Sequence, residues 1–110
     1  MIDIQTIREL ALSFPEAEES SHFEKISFRI KKKIFTTCDE KQQQICVKLS
    51  ESDQDIFCLY DSTVVFPVAN KWGKQGWTFI NLPAINVELF SEILKSAYNQ
   101  VAPPKLRLEL

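Results

Sequence analysis

The chain has 110 residues, 45% of them hydrophobic and 25% charged, which suits one globular domain with a modest core that needs no metal or disulfide staple. Thirteen Lys and Arg stand against fifteen Asp and Glu, a net charge of −2, so the overall positive charge common among phosphate-gripping proteins is missing. No apolar run approaches the ~20 residues of a membrane span, and Met1-Ile2-Asp3-Ile4 has neither the basic start nor the apolar stretch of a secretion signal; membrane, fibrous and disulfide-scaffold classes are excluded, and a cytoplasmic protein is expected.

Asp3 is placed to cap a helix on which Ile4, Ile7, Leu10, Ala11 and Phe14 share one face, with Pro15 as its stop. The period then changes. Ser27-Phe28-Arg29-Ile30 alternates polar and apolar, Lys31-Lys32-Lys33 interrupts it, and Ile34 to Cys38 resumes with β-branched and aromatic residues, a hairpin with lysine at its tip. Gln43 to Leu49 alternates again as a third strand. Ser50 and Ser52, each followed three residues later by Asp, resemble capping boxes for a helix over about Glu51 to Tyr60. Thr63 to Phe66 and Trp77 to Leu82 are strand-like, with Pro67 suited to an edge. Between them, Asn70 to Gly76 holds both glycines of the chain. Asn86 caps a last helix with Phe90, Leu94, Ala97 and Val101 on one face, ended by Pro103-Pro104. The order α-β-β-β-α-β-β-α predicts an α+β domain of two layers, a five-stranded antiparallel sheet with helices on one face, its core over about residues 3–104 and a loose tail over 105–110.

Charge is unevenly distributed. Arg29, Lys31, Lys32 and Lys33 form one basic knot and Lys71 and Lys74 a second, whereas Glu16, Glu18 and Glu19 collect before the first strand. His22 is the sole histidine, in a polar setting without a glycine elbow, so nucleophilic catalysis lacks a partner set. Cys38, Cys46 and Cys58 form no C-x-x-C and lie beside apolar neighbours, as inert buried thiols do. No P-loop or metal-ligand spacing occurs. The chain is expected to be no enzyme, with no catalytic residue, metal or cofactor. The segment Asn70 to Trp77 concentrates two tryptophans, two lysines and two glycines, a combination that lets an aromatic ring stack while Lys reaches phosphate. Trp77 is expected in the core, and Trp72 either clamps its loop or meets a ligand.

The run from Pro67 to Leu82, with Asn70-Lys71 ahead of a Trp-x-x-Ile-x-Leu pattern at Trp77, resembles the MmcQ/YjbR family. Further agreements are Phe14-Pro15-Glu16-Ala17-Glu18-Glu19, Phe28-Arg29-Ile30 with Lys33-Ile34-Phe35, and Ala97-Tyr98 with Val101-Ala102-Pro103, so the resemblance covers about Leu10 to Leu106. It departs at Trp72-Gly73-Lys74-Gln75-Gly76, where many members have Lys-x-His or Lys-x-Trp. The resemblance implies a two-layer domain with a five-stranded antiparallel sheet, similar to the secretion-chaperone fold, and DNA binding through a "double wing" of two projecting hairpins. Mapped here, the wings are Arg29 to Ile34 and Asn70 to Gly76, each carrying one basic knot. The expected nucleic-acid contacts are Arg29, Lys31, Lys32, Lys33, Asn70, Lys71, Trp72 and Lys74. The expected partner is double-stranded DNA, held by phosphate contact with low sequence preference by a monomer or weak homodimer. The rival expectation is a protein-interaction module, docking a partner or a second copy through the sheet face or the Trp72 loop. A third gives Glu16, Glu18 and Glu19 a divalent metal.

Overall fold

A computed structural model describes residues 2–22 and 24–108, apart from the side chain of His22. Helix α1 spans Ile4–Leu12, and the Asp3 carboxylate accepts the Thr6 N–H at 2.8 Å, satisfying one of the free amides of the first turn. Four strands follow: β1 Ala17–His22, β2 Lys25–Ile30, β3 Lys33–Asp39 and β4 Gln44–Lys48. Then come α2 Glu51–Cys58, capped by Ser50, β5 Val65–Pro67, the one-turn α3 Lys71–Lys74, β6 Trp77–Asn81, and α4 Val87–Val101, capped by Asn86. The strands form one antiparallel sheet in the order β1-β2-β3-β4-β6-β5.

Register decides the two faces. Cys38, Ile45, Ile80 and Val65 lie side by side, as do Phe28, Thr36, Val47 and Thr78, and all of them are buried. This face joins Ile7 and Ala11 of α1 and Phe90, Ile93, Leu94, Ala97 and Tyr98 of α4 in one core. In β3, Phe28 opposes Thr36 while the next residue, Arg29, opposes Ile34, so Phe35 is the extra residue of a β-bulge. The bulge turns Phe35 into the core against the edge of Tyr98, at 5.6 Å between rings, and sends Ile34 to the opposite face. Phe14, just past the end of α1, completes the aromatic cluster at 5.0 Å from Tyr98, whose hydroxyl donates to the Pro15 carbonyl. Such pairs are worth about 0.5–1.5 kcal/mol each beyond the area they bury.

Two expectations are corrected. The sheet has six strands, not five: β1 (Ala-Glu-Glu-Ser-Ser-His) pairs along all six of its residues with β2. Its core-side position Glu19 is neutralised by Arg8 of α1 at 3.0 Å rather than buried, so the strand carries no hydrophobic alternation to read. A polar, charged edge strand also discourages pairing with another chain. The tail is not loose through Leu108: Asn99 holds it with a pair of hydrogen bonds to the Leu108 backbone (2.9 and 2.7 Å), and Arg107 Nε donates to the Ala102 carbonyl. Among the described residues, no helix is long and apolar enough to cross a membrane.

Candidate nucleic-acid interface

Strand direction places the two basic loops. β3 begins at Lys33, β4 ends at Lys48, and β6 begins at Trp77; Thr36 opposes Val47 and Lys48 opposes Trp77. The β2–β3 turn and the β5–β6 connection therefore leave the same end of the sheet. They stand three strand spacings apart in the sheet order, roughly 14 Å at 4.7–4.9 Å per strand.

The first loop is the two-residue turn Lys31-Lys32, closed by the pair Ile30 and Lys33. Both turn residues have positive φ, 52° and 68°, as a type I′ hairpin requires. That turn is normally Asn-Gly, because a Cβ in the left-handed region costs about 1–2 kcal/mol per residue. Two lysines hold this strained tip instead. Part of its charge is already matched: Lys31 Nζ lies 2.8 Å from Glu16, which raises the lysine's pKa by hydrogen bond and charge, whereas Arg29, across the ladder from Glu18, donates from Nε to Ser27 Oγ at 3.1 Å. Lys32 and Lys33 have no carboxylate partner among the described residues.

The second loop is built differently. It contains the one-turn helix α3 rather than a simple hairpin tip, and Asn70 starts it with φ 71° and ψ −159°, a region nearly reserved for glycine. The Asn70 carboxamide accepts the Trp72 N–H at 3.0 Å, which holds that conformation. A Cβ on Gly73 would lie 1.9 Å from the Val68 carbonyl oxygen, and one on Gly76, at φ 102°, would lie 1.9 Å from that of Leu49. Buried Gln54 of α2 donates from Nε2 to the Gly73 carbonyl (2.9 Å) and to Thr78 Oγ1 (3.0 Å), and Thr78 passes a hydrogen bond on to the Gly76 carbonyl. Lys48 Nζ donates to the Gln75 carbonyl and sits 5.7 Å from the Trp77 ring centre. Lys71 and Lys74, like Lys32 and Lys33, have no carboxylate partner among the described residues. The loop is thus a braced platform, while the first is a bare turn.

Between the loops, the face of the sheet turned away from α1 and α4 carries an open groove of about 260 Å³. Ile34 and Thr37 of β3, Cys46 of β4, Trp77 and Phe79 of β6, Val68, Trp72 and Lys25 line it. Phe66 flanks Phe79, with ring centres 5.8 Å apart. Trp77 was expected in the core; it lies half-buried on this face instead, because Thr78 and Ile80, the other parity of β6, face the helices. Trp72 is 50% exposed. Sequence reasoning missed Trp77, Phe79, Lys25, Lys48 and the brace Gln54. The available signal was that β6 is apolar on both parities beside a helix layer, which leaves one apolar row uncovered.

The metal reading of the acidic cluster fails on geometry. Glu16 is taken by Lys31, Glu19 by Arg8, and Glu18 occupies the opposite face of β1 from Glu19; among the described residues no three potential ligands converge. Burial pushes the Cys38 and Cys46 thiols up to about 11, away from the thiolate a nucleophile needs. His22 ends β1, and its side chain lies outside the described residues.

The family model described as YjbR matches residues 12–100. No curated protein matches the chain. Among solved structures, the crystal structure of Deinococcus radiodurans protein DR2400, described with the domain DUF419, superimposes with a TM-score of 0.80 at 18% identity, covering 94% of this chain and 84% of that one. At that identity the likeness concerns the fold alone.

Proposed function

The chain belongs to the YjbR family, and we propose that it is a non-catalytic binding domain that holds double-stranded DNA across the sheet end carrying its two basic loops. The observation that supports this reading most is their common direction: the β2–β3 turn and the β5–β6 connection leave one end of the sheet. One DNA strand carries a phosphate every ~3.4 Å of helix axis, so the roughly 14 Å between the loops matches about four phosphates. Arg29, Lys31, Lys32 and Lys33 contact the backbone on one side, and Asn70, Lys71 and Lys74 on the other, with Trp72 packing between. These are charge contacts, so sequence preference is low. A net charge of −2 is compatible with this because the acidic α2 start lies in the helix layer, where Asp53 borders Ser96 and Asn99 of α4.

A second reading is favoured by a different observation. Ile56, Leu59 and Tyr60 around the end of α2 are exposed, Leu59 at 85%, and a protein partner or a second copy would cover them. One titration separates the two. Adding a short duplex to isotope-labelled protein is expected to shift the amide resonances of residues 30–34 and 70–76 and to leave α2 unmoved. Shifts confined to Ile56–Tyr60, or no shifts at low salt, would overturn the DNA reading.

A further inference from the structure

The groove on the open face needs an occupant that is aromatic-seeking and anionic at once. Trp72, Trp77, Phe79 and Ile34 line it together with Thr37 and Cys46. Cations border it: Lys25 lines it, Lys48 stands over Trp77, and Lys71 and Lys74 flank Trp72 in the chain. The carboxylates that register places on this face are Glu18, opposite Arg29, and Asp39, whose carboxylate accepts the Gln42 N–H at the far end of β3. The groove runs from Ile34, next to the first basic loop, to Trp72 within the second.

Resting on the loop contacts to DNA proposed above, we propose that this groove receives unpaired nucleobases, so that duplex is held by the loops alone while single-stranded or locally opened DNA gains the groove as well. Phosphates meet Lys32, Lys33, Lys71 and Lys74 at the sheet end while a base stacks on the exposed face of Trp72 and rests against Trp77 and Phe79. Every base has a π-face, so stacking of this kind is tolerant of sequence. A β-sheet that offers aromatic rings between cationic loops provides both parts of single-strand recognition, a stacking surface and a backbone track. Intact duplex offers the loops its phosphates but keeps its bases from Trp72. A polypeptide would find no free strand edge here, since β3, β4 and β6 are paired on both sides, and would meet cations it has no need of.

The test measures tryptophan fluorescence and affinity with a twelve-residue oligothymidylate, inorganic polyphosphate of matched charge, and a blunt duplex. The oligothymidylate is expected to quench tryptophan emission where polyphosphate does not, and to bind more tightly than the duplex. Trp72→Ala, an exposed site where truncation leaves the fold intact, is expected to weaken oligothymidylate binding roughly five- to hundredfold. The same variant keeps polyphosphate affinity within about twofold, and Trp72→Phe restores most of the single-strand binding. Equal loss for both ligands, or no loss for either, overturns the groove assignment while leaving the loop contacts standing. A concentration-dependent dimer that Trp72→Ala dissolves would also overturn it, giving the groove to a second copy. Failure of all three polyanions to bind refutes the loops themselves.

Discussion

The two basic loops present similar charge by opposite means. Among the described residues, the Lys31-Lys32 turn is tied down only by the exposed Lys31–Glu16 pair, and it pushes two lysines into the left-handed region. The Asn70–Gly76 connection is tied to the body of the protein through Gln54, Thr78 and Lys48 and through two glycines that no other residue can replace without displacing backbone. The difference teaches that charge on the first loop is separable from the fold, while charge on the second is carried by a structure the fold depends on. Strain at the first loop, with no packing role to explain it, points to the lysines as its purpose.

Substitutions sharpen that contrast. The largest effect is expected at Gly76→Ala, where a positive φ and a 1.9 Å approach to the Leu49 carbonyl combine. It should cost about 3 kcal/mol, or roughly 10–20 °C in Tm for a domain of this size, measured by calorimetry. Lys31→Asn with Lys32→Gly should do the reverse, raising stability by about 1–2 kcal/mol by relieving the left-handed strain, while weakening binding to duplex DNA through the lost charge. An unstable double variant would break the comparison, because the lysines would then be structural.

Smaller effects test the core and the ion pair. The Cys38 thiol titrates near 9.0 when unfolded and is pushed up to about 11 by burial in the native state. The native state thus holds its proton more tightly, and the stability this thiol contributes is complete below pH 9 and lost as pH rises toward 11. Chemical denaturation from pH 8 to 11 should show a steeper fall for the parent protein than for Cys38→Ala, all other titrations being shared. Smallest is Glu16→Gln. The pair it forms with Lys31 is half exposed on both sides and screened by solvent, so Tm should stay at the parent value within error. DNA affinity should rise about two- to threefold as Lys31 is released.

Much of this arrangement was legible in the residues. The alternation in β2 to β4 and the 3.6-residue period of α4 placed the core, and capping at Asp3, Ser50 and Asn86 fixed the helix starts. The two loops were legible as basic knots broken from the strand pattern. β1 was not, since an edge strand that meets the core through a Glu19–Arg8 ion pair has no apolar face to betray it. Trp77 was assigned to the wrong face because Trp77-Thr78-Phe79-Ile80 is compatible with either parity, and only pairing with β4 chooses between them. Gln54 left no mark at all: a single amide on an acidic helix reads as surface until the loop it supports is folded over it.

The salt dependence of duplex affinity tests the central claim most directly, that both loops hold one polyanion together. Lys32, Lys33, Lys71 and Lys74, which have no carboxylate partner among the described residues, should together contribute about −3.6 to the slope of log K against log salt. Lys32→Ala with Lys33→Ala, and separately Lys71→Ala with Lys74→Ala, should each make it shallower by about 1.8, and the four together by about 3.6. A slope that either pair of substitutions leaves at the parent value would contradict the account, since that loop would then stand apart from the bound DNA.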